Sequence, residues 1–331
     1  MREFKLPSTD GRSELSWYLW EPETAPKAVL QIVHGMTEYV LRYEPFANFL
    51  NENGVLVVGD DHIGHGHSVS TLDDLGYFGE TDGWKHMVDD EEKLRETVSG
   101  MYPGIPYVML GHSMGSFIAR AYLAKYGDKL DASIIMGTAG TNPAAGAGMA
   151  MVKFLRKLRG SRHRSKFITN LAFGSYNKRI PNASDPHAWL TRDEAIVKPY
   201  EKDPYCTFLF TLAGYQDLFE LINFISGDDW YAKVPKALPL LITAGLEDPV
   251  GAYGAGPAEV LEKLENAGCD VSGRFYEEMR HEILNEFGKE TVWEDMLRFI
   301  LDATTEVPGP QAEEGARGCA ADAQQPAFPQ A

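Results

Sequence analysis

The stretch that decides the fold is YVMLGHSMGSFIAR, residues Tyr107–Arg120. It opens with an apolar run typical of a short buried strand, continues through Gly-His-Ser-Met-Gly, and then places apolar residues at helical spacing. A strand, a sharp turn and a helix form the context in which Gly-x-Ser-x-Gly holds a reactive serine above a sheet. We therefore predict Ser113 as a nucleophile and the backbone N–H of Met114 as an oxyanion donor. A glycine-rich turn around a merely buried serine is the alternative, which the flanking strand and helix disfavour.

Composition limits the class of protein. The chain has 331 residues, of which 44% are apolar, a formal net charge of −17 and three cysteines. The excess of acidic groups disfavours nucleic acid as a partner, and few, widely spaced cysteines argue against a disulfide scaffold. Because no long uncharged apolar run and no apolar leader segment occurs, we expect a cytoplasmic protein.

Strands and helices alternate along most of the chain. After a hairpin at residues 3–20, apolar runs typical of buried strands recur at residues 28–33, 54–59, 107–111, 132–136 and 239–244, and a last strand is predicted at residues 271–276. Inner strands that are apolar on both faces are typical of a parallel sheet covered by helices on both sides. The pattern predicts an α/β protein with eight strands, mostly parallel.

One long segment interrupts this alternation. We predict a core in two parts, residues 1–139 and 234–305, separated by a helical cap at residues 140–233. Within the cap, residues 153–166 hold seven Lys/Arg and no acidic residue. Residues 306–331 are rich in Ala, Pro, Gln and Gly, a composition that predicts a disordered tail.

Two further side chains follow strand ends on the same predicted sheet edge. Asp248 comes after the seventh strand and His281 after the eighth. In an open α/β sheet the carboxyl ends of strands meet where ligands bind, and Ser, Asp, His is the chain order that accompanies the Gly-x-Ser-x-Gly turn. We expect His281 to accept the Ser113 proton and Asp248 to orient the imidazole. Glu247 stays open as the acid, and His281 as a structural loop histidine.

A second oxyanion donor is expected in the loop after the third strand, His34-Gly35-Met36. Gly35 allows a tight turn, which would aim the N–H of Met36 at the oxyanion beside that of Met114. We interpret His34 as a structural hydrogen-bonding residue.

The segment His62-x-x-His65-x-His67 has spacing that suggests a metal site. It lies in a glycine-containing loop without a cysteine at ligand spacing, so we interpret it as a turn that packs beneath the Ser113 loop, with no metal. The preceding Asp60 and Asp61 are interpreted as turn formers.

Several motifs together resemble one family, the monoacylglycerol lipase/lysophospholipase group of α/β-hydrolases, which is also placed with the serine aminopeptidase-like hydrolases. The motifs are His34-Gly35-x-x-Glu38, Asp61-His62-x-Gly64-His65-Gly66-x-Ser68, Gly111-His112-Ser113-Met114-Gly115, and Gly245-x-x-Asp248 with His281. The likeness spans residues 29–138 and 239–299 and is weak in the cap.

The resemblance implies an α/β-hydrolase fold and a serine hydrolase without a cofactor. It also implies the residue roles: Ser113 as nucleophile, Asp248 and His281 as its partners, and Met36 and Met114 as oxyanion amides. The implied substrate is a small acyl ester of lipid type, a monoacylglycerol or lysophospholipid. A peptidase, amidase or thioesterase with the same triad stays open, as does a non-catalytic binding protein of this fold.

The cap is expected to select the substrate. Apolar side chains there suit an acyl tunnel or simple cap packing: Met149, Met151, Phe154, Leu155, Phe208, Leu209, Phe210 and Leu212. The basic stretch suits transient contact with an anionic membrane surface, a solvated face, or pairing with the acidic core. The sequence does not predict an oligomeric state.

Overall fold

The structure is a computed structural model that describes residues 1–181, 183, 185–227 and 229–305. The predicted tail at residues 306–331 lies outside the described residues. Within that part of the chain, no helix combines the length and apolar character needed to cross a bilayer.

One sheet of eight strands runs through the molecule in the order β1-β2-β4-β3-β5-β6-β7-β8. The strands are β1 Arg2–Pro7, β2 Glu14–Trp20, β3 Ala28–Val33, β4 Val55–Asp60, β5 Tyr107–His112, β6 Ala132–Met136, β7 Leu240–Gly245 and β8 Val271–Tyr276. β2 pairs antiparallel with β1 and β4, and every other neighbouring pair is parallel. The prediction of an eight-stranded, mostly parallel sheet is confirmed.

Helices cover both faces of this sheet. They are α1 Glu44–Glu52, α2 Gly83–Met101, α3 Met114–Tyr126, α4 Ala145–Arg159, α5 Lys166–Phe173, α6 Glu194–Tyr200, α7 Leu212–Ser226, α8 Ala255–Asn266 and α9 Lys289–Thr305. Apolar side chains of α2, α3, α7 and α8 pack with one face, and those of α1 and α9 pack with the other. The central strands are buried on both faces, as expected for strands with continuous apolar runs.

The segment predicted as a cap joins β6 to β7 and contains α4 to α7. Within it, α4 packs against α7, and α7 in turn packs against α2 and α3 of the core. The insertion therefore stands above the carboxyl ends of the parallel strands, where the predicted functional residues lie.

Candidate active site

Ser113 occupies a strained turn between β5 and α3. Its backbone has φ 56° and ψ −121°, values that few residues with a side chain adopt. The turn is possible because its flanking residues lack side chains. A Cβ on Gly115 would collide with the Val33 carbonyl oxygen, and one on Gly111 would collide with the Gly115 carbonyl. The tight packing of strand, turn and helix thus lifts the Ser113 hydroxyl out of the sheet.

The buried residues Asp248 and His281 form a hydrogen-bonded pair. His281 Nδ1 lies 2.9 Å from Asp248 Oδ2, and Asp248 Oδ1 accepts the Val250 N–H at 2.8 Å. A carboxylate at Nδ1 favours the tautomer with its proton there and leaves Nε2 free to accept a proton. The neighbouring acid, Glu247, instead lies half-exposed, 3.8 Å from the Arg280 guanidinium.

Ser113 and His281 line the same cavity, but they are not hydrogen-bonded to each other in this conformation. Both belong to the described residues, and the His281 imidazole faces Gly137, whose ideal Cβ would lie 3.3 Å from the His281 Cε1 atom. Hydrogen bonds of this kind are often loose before substrate binds. The structure therefore brings Ser113, Asp248 and His281 to one rim of the sheet. Of the two hydrogen bonds that link the residues of a triad, it forms the one between His281 and Asp248.

The loop after β3 passes directly over the serine. An ideal Cβ on Gly35 would lie 3.0 Å from the Ser113 Cβ, so only glycine fits there. Within the described residues the N–H of Met36 has no hydrogen-bond acceptor. The N–H of Met114 belongs to the first turn of α3, where backbone donors have no acceptor within the helix. Both amides stay candidate donors to an oxyanion above Ser113.

A buried carboxylate that the sequence did not single out as functional holds this loop. Glu38 Oε1 accepts hydrogen bonds from the Gly35 N–H at 2.6 Å and the Tyr43 hydroxyl at 2.9 Å, and lies 3.1 Å from His112 Nδ1. Burial alone would raise the pKa of Glu38, but His112 and Arg42 lower it well below its ordinary value. An ionised Glu38 thus fixes the loop to the residue that precedes Ser113.

An ion pair extends this network toward His281. The Arg42 guanidinium donates to both oxygens of Glu282, at 2.8 and 2.7 Å, and to Glu38 Oε2 at 2.8 Å. His112 Nε2 lies 3.3 Å from the His281 carbonyl oxygen. The only local signal in the sequence is the Glu38–Arg42 spacing of four residues, which is ordinary for a surface pair.

The three histidines of the predicted turn do not converge on one point. His62 Nδ1 lies 3.2 Å from Glu91 Oε1, whereas His65 packs between aromatic rings and His67 lies 3.3 Å from Asp61 Oδ2. The interpretation of Asp60 as a turn former is wrong, because it ends β4 as a fully buried carboxylate 3.7 Å from His62 Nδ1. Burial and the nearby Asp60 raise the pKa of Glu91 to about 8.

A cavity of about 720 Å³ opens above Ser113. Its polar end includes Thr37, Glu38, Arg42, His187, Tyr200 and Glu282. Its apolar end includes Phe117, Met151, Phe208, Leu218, Phe219 and Ile222. Of the side chains expected to form an acyl tunnel, Met151, Phe208 and Leu209 line this cavity, whereas Phe154 is 61% exposed and Phe210 is buried in the core. Helices α5 and α7 each contribute five of the lining residues, and α4 contributes three.

Part of the insertion is bonded to the loop that carries His281. We call residues 185–206 the inner segment. Its Trp189 carbonyl accepts the His281 N–H at 3.4 Å, and its Leu190 carbonyl accepts the Glu282 N–H at 2.7 Å. The Trp189 ring also lies 5.1 Å from the His281 ring, measured between centroids. The inner segment is therefore a wall of the site and a support for the imidazole.

Comparisons with known proteins agree with this fold. Residues 24–288 match the family model described as "Serine aminopeptidase, S33". The chain is 29% identical to a monoacylglycerol lipase of Mycolicibacterium smegmatis, over 88% of this chain and 94% of that protein. It is 31% identical to the human monoglyceride lipase, over 71% of this chain and 68% of that protein.

Solved structures agree as well. A carboxyl esterase from Bacillus coagulans in complex with glycerol superposes with a TM-score of 0.87 and 32% identity, over 92% of this chain and 98% of that one. The α/β-hydrolase fold and the family resemblance predicted from the motifs are confirmed. The chain belongs to the serine aminopeptidase S33 family of α/β-hydrolases.

Proposed function

We propose that the protein is a serine hydrolase that cleaves monoacylglycerols through an acyl-enzyme on Ser113. The observation that carries this proposal is a strained serine at the floor of a cavity that also holds the His281–Asp248 pair. Relatives named as monoacylglycerol lipase and carboxyl esterase bear out the enzyme class, an ester hydrolase. A peptidase or thioesterase would use the same groups, and the experiment below separates them.

In the first half-reaction the Ser113 oxygen attacks the ester carbonyl carbon while His281 Nε2 takes the hydroxyl proton. Asp248 stabilises the resulting imidazolium through Nδ1. The tetrahedral oxyanion accepts hydrogen bonds from the N–H groups of Met36 and Met114. Each such donor contributes about 10²–10³-fold to the rate in related sites. Collapse expels the alcohol, which receives the proton from His281.

In the second half-reaction water attacks the acyl-Ser113 ester. His281 accepts a proton from this water and then returns one to the Ser113 oxygen as the fatty acid leaves. Every proton moves between side chains of this chain, the substrate and water, so we propose that no cofactor takes part.

The two ends of the cavity support a substrate with an acyl chain and a small polar alcohol. The apolar end among α3, α4 and α7 suits the acyl chain, and the volume lies within the usual range for small-molecule sites, about 300–1,000 Å³. At the polar end the charge of Arg42 is balanced by Glu38 and Glu282. Among the described residues at this end, no positive charge is left unpaired for a phosphate headgroup, which favours glycerol over a lysophospholipid headgroup.

We further propose that the outer helices, α4 and α5, rest on an anionic lipid surface while substrate enters. Four of their apolar side chains are more than half exposed: Phe154, Leu158, Phe167 and Leu171. Lys157 and Arg159 lie exposed beside them. Exposed apolar residues interleaved with basic ones are typical of helices that lie in a membrane interface.

Two buried free thiols, Cys206 and Cys269, support a cytoplasmic location.

The test compares Ser113→Ala with the wild-type chain. We expect loss of monoacylglycerol hydrolysis by about 10⁴-fold or more and loss of labelling by a fluorophosphonate probe. Ser272→Ala, an exposed serine on β8, is the matched control and should label normally. Faster turnover of amides or thioesters than of the matched medium-chain ester would overturn the ester assignment. A wild-type protein that the probe does not label would overturn catalysis altogether.

A further inference from the structure

One side chain of the inner segment reaches the loop that carries the Met36 amide. Tyr200 ends α6, is only 5% exposed, and packs with Leu190 and Cys206. Its hydroxyl donates to the Thr37 carbonyl oxygen at 2.9 Å and lies 3.0 Å from Thr37 Oγ1. A phenol has one proton to give, so it donates to the carbonyl and accepts from the threonine hydroxyl.

Thr37 needs this external support because of its backbone conformation. Its φ is +52°, in the left-handed region that is unfavourable for a β-branched residue. Such a conformation persists only where surrounding contacts hold it. Tyr200 supplies that contact from 163 residues further along the chain.

The loop around Met36 thus has two anchors. On one side Glu38 accepts the Gly35 N–H, and on the other Tyr200 binds Thr37. Met36 lies between them, and a displacement of its N–H by about 1 Å is enough to weaken catalysis by about 10²-fold. Burial raises the pKa of Tyr200 well above its ordinary value, so its hydroxyl keeps its proton across the working pH range.

We propose that Tyr200 is a positioning residue that holds the Met36 amide in place for the oxyanion. This inference rests on the proposed function, in which Met36 is an oxyanion donor. It means that the oxyanion site is complete only while the inner segment is docked on the core. The insertion then contributes to transition-state stabilisation as well as to substrate selection.

The experiment compares Tyr200→Phe with Tyr126→Phe. Tyr126 ends α3, outside the lining of the cavity, and its hydroxyl donates to Asp89 Oδ1 at 3.0 Å. For a water-soluble ester we expect Tyr200→Phe to lower kcat roughly tenfold with KM within about twofold, because the lost contact acts in the transition state. A trifluoromethyl ketone, which forms a tetrahedral adduct on the serine, should bind more weakly by the same factor. Tyr126→Phe should leave all three quantities unchanged.

Several outcomes would overturn the inference. These are an unchanged kcat, a raised KM with unchanged kcat (as for a hydroxyl that binds substrate directly), or an equal loss in Tyr126→Phe. Thermal unfolding and the final extent of fluorophosphonate labelling show whether Tyr200→Phe is folded with an intact Ser113. Activity retained by Ser113→Ala defeats the proposed function itself. An inactive Ser113→Ala with a normal Tyr200→Phe defeats only this inference.

Discussion

The two parts of the insertion contact the core in different ways. The inner segment binds both loops of the rim: Tyr200 bonds to Thr37, and the carbonyls of Trp189 and Leu190 bond to the His281 loop. The outer helices α4 and α5 expose apolar side chains, among them Leu158 at 64% and Phe167 at 61%. Part of a cap that the sequence presents as one inserted segment therefore belongs to the architecture of the active site.

Backbone hydrogen bonding explains the difference. A buried irregular segment such as Ala188–Arg192 must find partners for its N–H and C=O groups, and it finds them on the His281 loop. Helices satisfy their own backbone, so α4 and α5 need few bonds to the core and can expose one face. The predictions below test this division of roles.

The largest effect is expected at Glu286, a buried carboxylate behind the inner segment. Its Oε1 accepts the N–H groups of Arg192 at 2.9 Å and Arg280 at 3.0 Å. Glu286→Ala leaves two partly buried backbone donors without this acceptor and loosens the His281 loop. We expect kcat for a water-soluble ester to fall about 10²-fold. Glu290→Ala, an exposed acid on the next helix, is the control. A folded Glu286→Ala protein with normal kcat would contradict the role of the inner segment.

A smaller effect is expected when the outer helices lose their exposed apolar groups. Phe154→Ser combined with Leu158→Ser should weaken binding to anionic phospholipid vesicles about tenfold or more, since each apolar side chain that leaves water contributes about 1.5–3 kcal/mol. Cosedimentation with vesicles measures this. Activity on a water-soluble ester should stay unchanged. Leu72→Ser, on the core and 52% exposed, is the matched control. Equal vesicle binding by the wild-type protein, the double variant and Leu72→Ser would show that the outer helices do not contact the lipid surface.

A weaker effect is expected from the basic residues of the same face. Lys157→Gln combined with Arg159→Gln should reduce binding to anionic vesicles about fivefold, because each basic residue near such a surface contributes at most about 1 kcal/mol. Binding to neutral vesicles should not change. A loss that is the same on neutral and anionic vesicles would show that the charges do not act through the lipid headgroups.

The smallest effect is expected at Glu80, which ties α4 to the core. Hydrogen bonds from Ser161, Tyr77 and Arg156 lower the pKa of Glu80 to about 2. An acid whose pKa is lower in the folded state adds stability above its unfolded pKa and loses it as pH falls. Because Glu80 is largely exposed, Glu80→Gln should lower the free energy of unfolding by less than about 1 kcal/mol at pH 7. Urea denaturation should show this difference shrinking below about pH 4.5. If the difference in free energy of unfolding between the two proteins stayed constant from pH 7 to pH 3, the Arg156–Glu80 ion pair would not contribute to stability.

Local sequence patterns were enough to predict the sheet and the candidate residues at its edge. Continuous apolar runs predicted the central strands, because a strand buried on both faces leaves a signature within a few residues. The glycines around Ser113 mark a turn that only they fit. Asp248 and His281 were found from chain order and from their positions just after strands, and their roles stay a prediction.

By itself, then, the amino-acid sequence determined the α/β sheet, the family, and three candidate residues that meet at one rim, since each depends on short-range periodicity or a motif. Only the tertiary structure decided how that rim is held: the Glu38–Arg42–Glu282 network, the Tyr200 contact to Thr37, and the division of the insertion into two parts. Those contacts join residues up to 240 positions apart in the chain. No local pattern encodes them, because a polar side chain is placed by whatever the folded core brings beside it.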